Sequence, residues 1–493
     1  MKRTTIALSL VAALSTSSFG AKLSNDDLQA QIEALKAQLA LLEQRVNQST
    51  QKSTELILPA ATEKRIKKIE KKVASNYTKI NDVKAHDAGD NIKWDIDFRT
   101  QIDNIGYKLS NGTKLKNEAV MSNRLWLGMK YQADDNSLFY GTLSYNKLFG
   151  EDVSNVGNSQ FDWITNEAAG TDNSLKVKEA YWLYMNDSFM GNEDLPWTVS
   201  VGRRPSTDGL GINLRADQQR KSALSHTVNV EFDGASAKFT LEKLTGITGM
   251  WVKFCAGRGL TNARLRFDQN GYDYAKSTTT SNTDMAGIIF VPYDDGQYSI
   301  HTNYAKSWNL IGYENGQTTF TDFGDLELAN LVFKVDGIGN EISDYLDNTI
   351  AFASFAMSKT HPGSSNAGML GSHESQTGHS IWLGVNAPCP IDPDDSRIGV
   401  EWNKGSKYWR SFTYGEDTMA GSKVAARGTA WEVYRNQKLT KALSWTLRYT
   451  KIDYDYTGSN GFFGYYGAPV DIDSSPTAVK EAQNITANIR YRF

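Results

Sequence analysis

Asn484–Phe493 reads NITANIRYRF, and the alternation in this stretch sets the fold class. Ile485, Ala487, Ile489, Tyr491 and Phe493 fall on one face of an extended chain, while Thr486, Asn488, Arg490 and Arg492 fall on the other. A period of two marks a strand. A sandwich strand can alternate in the same way, but here the apolar side finishes on an aromatic residue. In a closed barrel that side would meet hydrocarbon and the polar side a wet interior.

The same period begins at Ile92. Ile92, Trp94, Ile96, Phe98 and Ile102 alternate with Lys93, Asp95, Asp97, Arg99 and Asp103, a density of charge that suits a hydrated wall better than a sandwich core. The return strand sets Leu125, Leu127, Met129 and Tyr131 against Arg124, Lys130 and Gln132. The polar turn Asp134-Asp135-Asn136 leads into a strand over 138–149, and a long polar loop over 151–172 precedes a strand over 175–185. Toward the other end, a strand over 424–434 turns through 436–440 into one over 443–456, and a long loop then reaches the final strand. Short and long connections alternate, which places short turns and the coiled-coil end on the periplasmic side and long loops outside. The register is lost between Thr245 and Gly378. Length alone therefore sets the strand number, at an even count of about 16–18. The expected fold is an all-β transmembrane barrel, antiparallel, over residues 90–493, preceded by an N-terminal α-helical coiled coil.

Ahead of it, Lys2 and Arg3 precede an apolar run, Ile6 to Leu14, and a small-residue junction near Gly20 and Ala21, the layout of a signal peptide over residues 1–20. The run is too short to span a bilayer. Over residues 21–85, Leu28, Leu35 and Leu42 alternate with Ile32, Leu39 and Val46 as the d and a positions of a heptad, an oligomerisation stripe in the periplasm. A homotrimer is the preferred state, although β-branched a with Leu d fits dimers equally well. Lys64, Arg65, Lys67, Lys68, Lys71 and Lys72 form a basic continuation, read as a solvated helix face or as a contact with the cell wall or anionic lipid.

Composition agrees with a wet barrel. Hydrophobic residues are 40% of 493, with 40 Gly, 23 Tyr, 20 Phe and 12 Trp, because apolar residues are needed only at alternate strand positions. The formal charge of −3 does not suggest a nucleic-acid partner. Cys255 and Cys389 are two thiols that could pair, or Cys255, inside MWVKFCAG, could be a small residue facing lipid.

Val201–Lys221, VGRRPSTDGLGINLRADQQRK, is the best candidate functional element. Alternation puts Arg204 on the lumen side with Arg203 near the strand end, and the loop beyond carries Asp208, Arg215, Asp217, Arg220 and Lys221. A mixed-charge loop of this kind either folds inward and sets a transverse field across a pore or pairs its ions on the outer surface. Arg99, Arg124, Lys130, Arg448 and Arg490 lean the wall toward anions, and Asp95 and Asp97 lean it back. His361, His373 and His379 lie in a Gly/Ser-rich stretch without the spacing of a helical zinc site, and Asp392, Asp394 and Asp395 lack the spacing of a calcium loop. No metal, cofactor or catalytic residue is expected; nucleotide, hydrolase and zincin motifs do not occur.

The ending on Phe493 resembles the closing strand of bacterial outer-membrane barrels, whose terminal Phe is part of the signal read by the insertion machinery. RIGVEWNKGSKYWRSFTYGEDTMA (Arg397–Ala420), GRRPSTDG and IDYDYTGS (Ile452–Ser459) resemble an uncharacterised bacterial family, a domain of unknown function, that joins a signal and a coiled coil to a porin-like barrel. The resemblance implies an outer-membrane location and no particular solute. Within it, Lys404-Gly405-Ser406 reads as a tight turn with Tyr408 and Trp409 near the membrane interface. The function expected is passive diffusion of small hydrophilic solutes. The alternative is a barrel plugged by its own loops and tethered to the cell wall, and a barrel enzyme or adhesin ranks behind both.

Overall fold

The computed structural model describes residues 92–149, 175–204, 209–219, 224–260, 281–317, 320–339, 342–413, 418–459 and 461–493. The expected signal, the heptad stripe from Leu28 to Val46, and Asp208, Arg220 and Lys221 lie outside these residues.

The strands are β1 (Ile92–Leu109), β2 (Lys114–Gln132), β3 (Ser137–Leu148), β4 (Lys176–Asn186), β5 (Trp197–Arg204), β6 (Phe232–Thr240), β7 (Trp251–Leu260), β8 (Thr283–Asp294) and β9 (Tyr298–Trp308). A small loop hairpin follows, made of β10 (Ile311–Tyr313) and β11 (Phe320–Asp322). The wall resumes with β12 (Gly324–Asp336), β13 (Ile350–Pro362), β14 (Thr377–Pro388), β15 (Ser396–Gly405), β16 (Gly428–Lys438), β17 (Leu443–Tyr454) and β18 (Val479–Arg492). All but β10 and β11 form one closed antiparallel barrel of 16 strands, within the range expected from length. Closure joins β1 to β18 from Asp97↔Arg492 to Leu109↔Val479, so the wall itself has no free edge strand among the described residues. Backbone bonds between Ile96 and Phe493 continue the seam to the last residue.

Burial follows the alternation with its usual sense reversed. Phe98, Ile102, Ile485 and Ile489 are exposed on the outer face, whereas Asp103, Asn484 and Thr486 are buried on the inner one. Trp94, Tyr131, Phe139, Tyr298 and Tyr491 gather on the outer face toward the short-turn end. An apolar exterior with an aromatic girdle and a polar interior is the distribution required of a wall between hydrocarbon and water.

Several local expectations need correction. Val424 does not open a strand: β16 starts at Gly428, and Val424–Arg427 are buried in a segment that has turned inward. His361 and His379 stand on β13 and β14, where Glu327 and Phe355 partner them, and only His373 lies in the connecting loop. Cys255 and Cys389 are unbonded. Cys255 also faces the lumen rather than lipid, because it pairs directly with the inward Ser236.

Candidate functional site

Two segments leave the long-loop end and fold into the lumen. The first follows β5. Gly211 has φ 94, and a Cβ there would lie 2.3 Å from the Trp382 ring, so only glycine lets the chain turn tightly over that indole. The short helix Ile212–Arg215 then packs Ile212 against Phe352, Trp382 and Val424. Asn436 Nδ2 donates to Arg215 O at 2.9 Å, and Arg492 Nη2 donates to Asp217 Oδ2 at 2.7 Å, carrying the loop down to the short-turn end. Of the two sequence readings of this loop, inward and outward, its described part takes the inward one.

The second segment, described over 406–413 and 418–427 between β15 and β16, was not anticipated. Trp409 is fully buried, its Nε1 donating to Val424 O at 2.8 Å and its ring meeting His226 edge-on; it does not lie at the membrane interface, and Gly405 ends a strand rather than making a tight return. Arg427 donates from Nε to Trp409 O at 2.9 Å and from Nη1 to Gly467 O at 2.7 Å, tying this segment to the loop before β18. The two segments also bond to each other: Asn229 N donates to Phe412 O at 2.7 Å and Phe412 N to Thr227 O at 2.8 Å.

A buried charge cluster seats both. Lys423 Nζ lies 2.6 Å from Glu401 Oε2 and 2.6 Å from Glu432 Oε1. Arg215 Nη1 reaches Glu432 Oε1 at 3.3 Å, Arg448 Nε stands 3.9 Å from its other oxygen, and Thr450 Oγ1 donates to that oxygen at 2.6 Å. Burying charge costs several kcal/mol per ion, so it persists only where partners converge in this way. Each inward segment contributes one cation, Arg215 or Lys423, to carboxylates fixed on the wall.

His226, on the first segment between β5 and β6, packs between Ser354 Oγ at 2.7 Å and Ser380 Oγ at 2.9 Å. Complete burial pushes its imidazole down to about 3, from an ordinary value near 6.5. Because the folded value is depressed, the stabilisation of the seat is complete above about 6.5 and is lost as pH falls toward 3. We expect limited proteolysis of the lumen segments to rise through that window, and the rise to be blunted in His226→Gln. An equal acid response in both proteins would exclude His226 as the cause.

The residues expected to line a pore divide into two groups. Arg99, Arg124, Arg448 and Arg490 do point inward but are buried. Arg490 grips Asp97 with two donors, Arg124 lies 3.6 Å from the same carboxylate, and Arg448 faces Glu432, so this group packs the wall. Lys130 and Arg204 are only half-buried and meet aromatic rings instead of carboxylates. Arg204 lies 4.2 Å from the Tyr181 centroid and Lys130 lies 5.4 Å from that of Tyr140, the two tyrosines stacking at 5.2 Å. Arg203 instead pairs with Glu231 and Asp233.

Sequence reading missed Lys238 and Lys253, which stand directly opposite one another on the inner faces of β6 and β7. Like charges in register repel, and here the Trp251 ring, 4.6 Å from the Lys238 ammonium, helps to hold one of them. The alternation Trp251, Lys253, Cys255 against Val252, Phe254, Ala256 held the signal. Lys178 was also missed: a bulge in β4 turns both Lys178 and Glu179 inward, and Lys178 Nζ meets Glu231 at 2.9 Å. The anchors of the two segments fall mostly on the wall from β8 round to β1, which leaves Lys130, Arg204, Lys238 and Lys253 as a cationic arc across β2–β7.

Among solved structures, the Salmonella typhi OmpF complex with daunomycin aligns over 82% of this chain and 99% of its own, at 10% identity and TM-score 0.46. The anion-selective porin from Comamonas acidovorans aligns over 82% and 99%, at 11% identity and TM-score 0.44. The trimer form of Vibrio cholerae OmpT aligns over 82% and 100%, at 13% identity and TM-score 0.41. No curated protein matches the chain in sequence. The family model described as "Protein of unknown function (DUF3373)" matches residues 114–493, nearly the whole barrel, and the chain belongs to that family.

Proposed function

We propose that this protein is a passive, water-filled channel of the bacterial outer membrane that admits small hydrophilic solutes and prefers anions. The observation that carries the reading is the half-buried arc of Lys130, Arg204, Lys238 and Lys253 inside a wall with an apolar exterior. The lumen carboxylates Asp97, Glu231, Glu401 and Glu432 already have cationic partners, and Glu179, which accepts from Thr142 and acts on Arg204, offsets the arc only in part. Selection would come from pore radius and the sign of the lumen field, transport would follow the gradient, and no chemical step is needed. Three copies joined through the Leu28–Val46 stripe is the assembly that goes with this reading.

Reversal potentials in planar bilayers under asymmetric KCl test it. Stepwise conductance with chloride favoured over potassium is the expected result. Cation preference would refute the selectivity. A barrel that never conducts would refute the channel and favour the second reading, a sealed barrel tethered to the cell wall, which has the two packed lumen segments on its side.

A further inference from the structure

The lumen is charged along most of its described length, but one compartment at its outer mouth is not. A cavity of about 620 Å³ opens between the ends of β1, β2, β17 and β18, floored by Thr418–Ser422 of the second inward segment. Among the described residues, no Asp, Glu, Lys, Arg or His lines it. Four tyrosines do, Tyr107, Tyr454, Tyr456 and Tyr466, together with backbone from glycine-rich turns. Lys407, whose ammonium lies 5.7 Å from the Tyr456 centroid, is not part of the lining.

The hydroxyl of Tyr107 is already spent, donating to Met419 O at 3.0 Å, which fixes the floor against the wall. Those of Tyr456 and Tyr466 make no hydrogen bond among the described residues. The volume is that of a ligand pocket rather than of a packing defect. A charged solute would lose hydration here without gaining an opposite charge from the described lining, and a purely apolar one would leave the phenol hydroxyls unanswered. A ring with an apolar face and a hydroxylated rim satisfies both surfaces, the face lying on a tyrosine and the rim meeting the hydroxyls.

We propose that this cavity is a binding site for a small neutral saccharide at the outer mouth of the barrel. It is independent of the cationic arc, since none of its lining residues belongs to that arc.

Calorimetric titration of the purified full-length protein in detergent, with maltose as the probe, tests the site. Maltose is expected to bind, and Tyr456→Ala/Tyr466→Ala to weaken it by about tenfold or more, with removal of stacking and of both hydroxyls. Tyr345→Ala, at the short-turn end, should leave binding unchanged, and gluconate should not bind. No maltose binding, equal binding in the double variant, or equal binding of gluconate would each overturn the proposal. Because the readout is heat rather than current, it stands or falls separately from conduction.

Discussion

Glu432→Ala is expected to release both inward segments from the wall and raise single-channel conductance. Glu432 is fully buried and answers Lys423 at 2.6 Å, Arg215 at 3.3 Å and Thr450 at 2.6 Å. Without it, Arg215, Lys423 and Arg448 crowd one site with only Glu401 to oppose them. Breaking a buried pair by removing one partner costs roughly 3–5 kcal/mol. On the wall only Arg448 and Thr450 lose a partner and the backbone ladder is unchanged, so the barrel should keep its resistance to detergent while the segments come loose. New tryptic cleavage after Lys423 or Arg427, together with larger current steps, would report the release. Glu432→Gln keeps an acceptor for Thr450 without the charge and should give an intermediate response. Wild-type conductance and cleavage in Glu432→Ala would mean that the cluster does not hold the segments.

The second large effect concerns selectivity. Lys130→Glu/Arg204→Glu/Lys253→Glu replaces three cations on the open arc by anions, and the reversal potential in asymmetric KCl is expected to change sign toward cations. None of the three is held by an ion pair with a described carboxylate, so each substitution should perturb the field more than the packing. Screening gives a further check: the difference should shrink in 1 M salt, where the Debye length is about 3 Å. Lys243→Glu, at an exposed short-turn position, controls for net charge. A triple variant that keeps wild-type selectivity would remove the arc from the conduction path.

What the chain made legible follows from how far each feature reaches. Strand parity is local, so NITANIRYRF and the run from Ile92 disclosed the inner and outer faces of β18 and β1, including the inward Arg490 and Arg99, and the same alternation turned Arg124 and Arg448 inward on β2 and β17. Whether those arginines meet solute or protein is a non-local question: Asp97 captures Arg490 across β1 and β18, which no spacing reveals. The second inward segment was hidden for the opposite reason. Residues such as Ser422, Ala425 and Ala426 carry no period because they fill the spaces between larger partners, and Trp409 suggested a girdle residue through its type alone. Lys253 was readable in principle, but it sits where the register had been lost.

One architectural fact bears on how the molecule assembles. The bond from Arg215 to Glu432 spans 217 positions, and the backbone bonds between Thr227–Asn229 and Phe412 bridge a comparably distant pair. The seat on Glu432 therefore cannot close until the final third of the polypeptide is in place, whereas Thr227 and Val228 already meet Asn303, Ala305 and Leu310 from the middle of the chain, and contacts so remote in sequence are slow to form. The last fastenings of the interior are thus supplied by the strands that complete the cylinder.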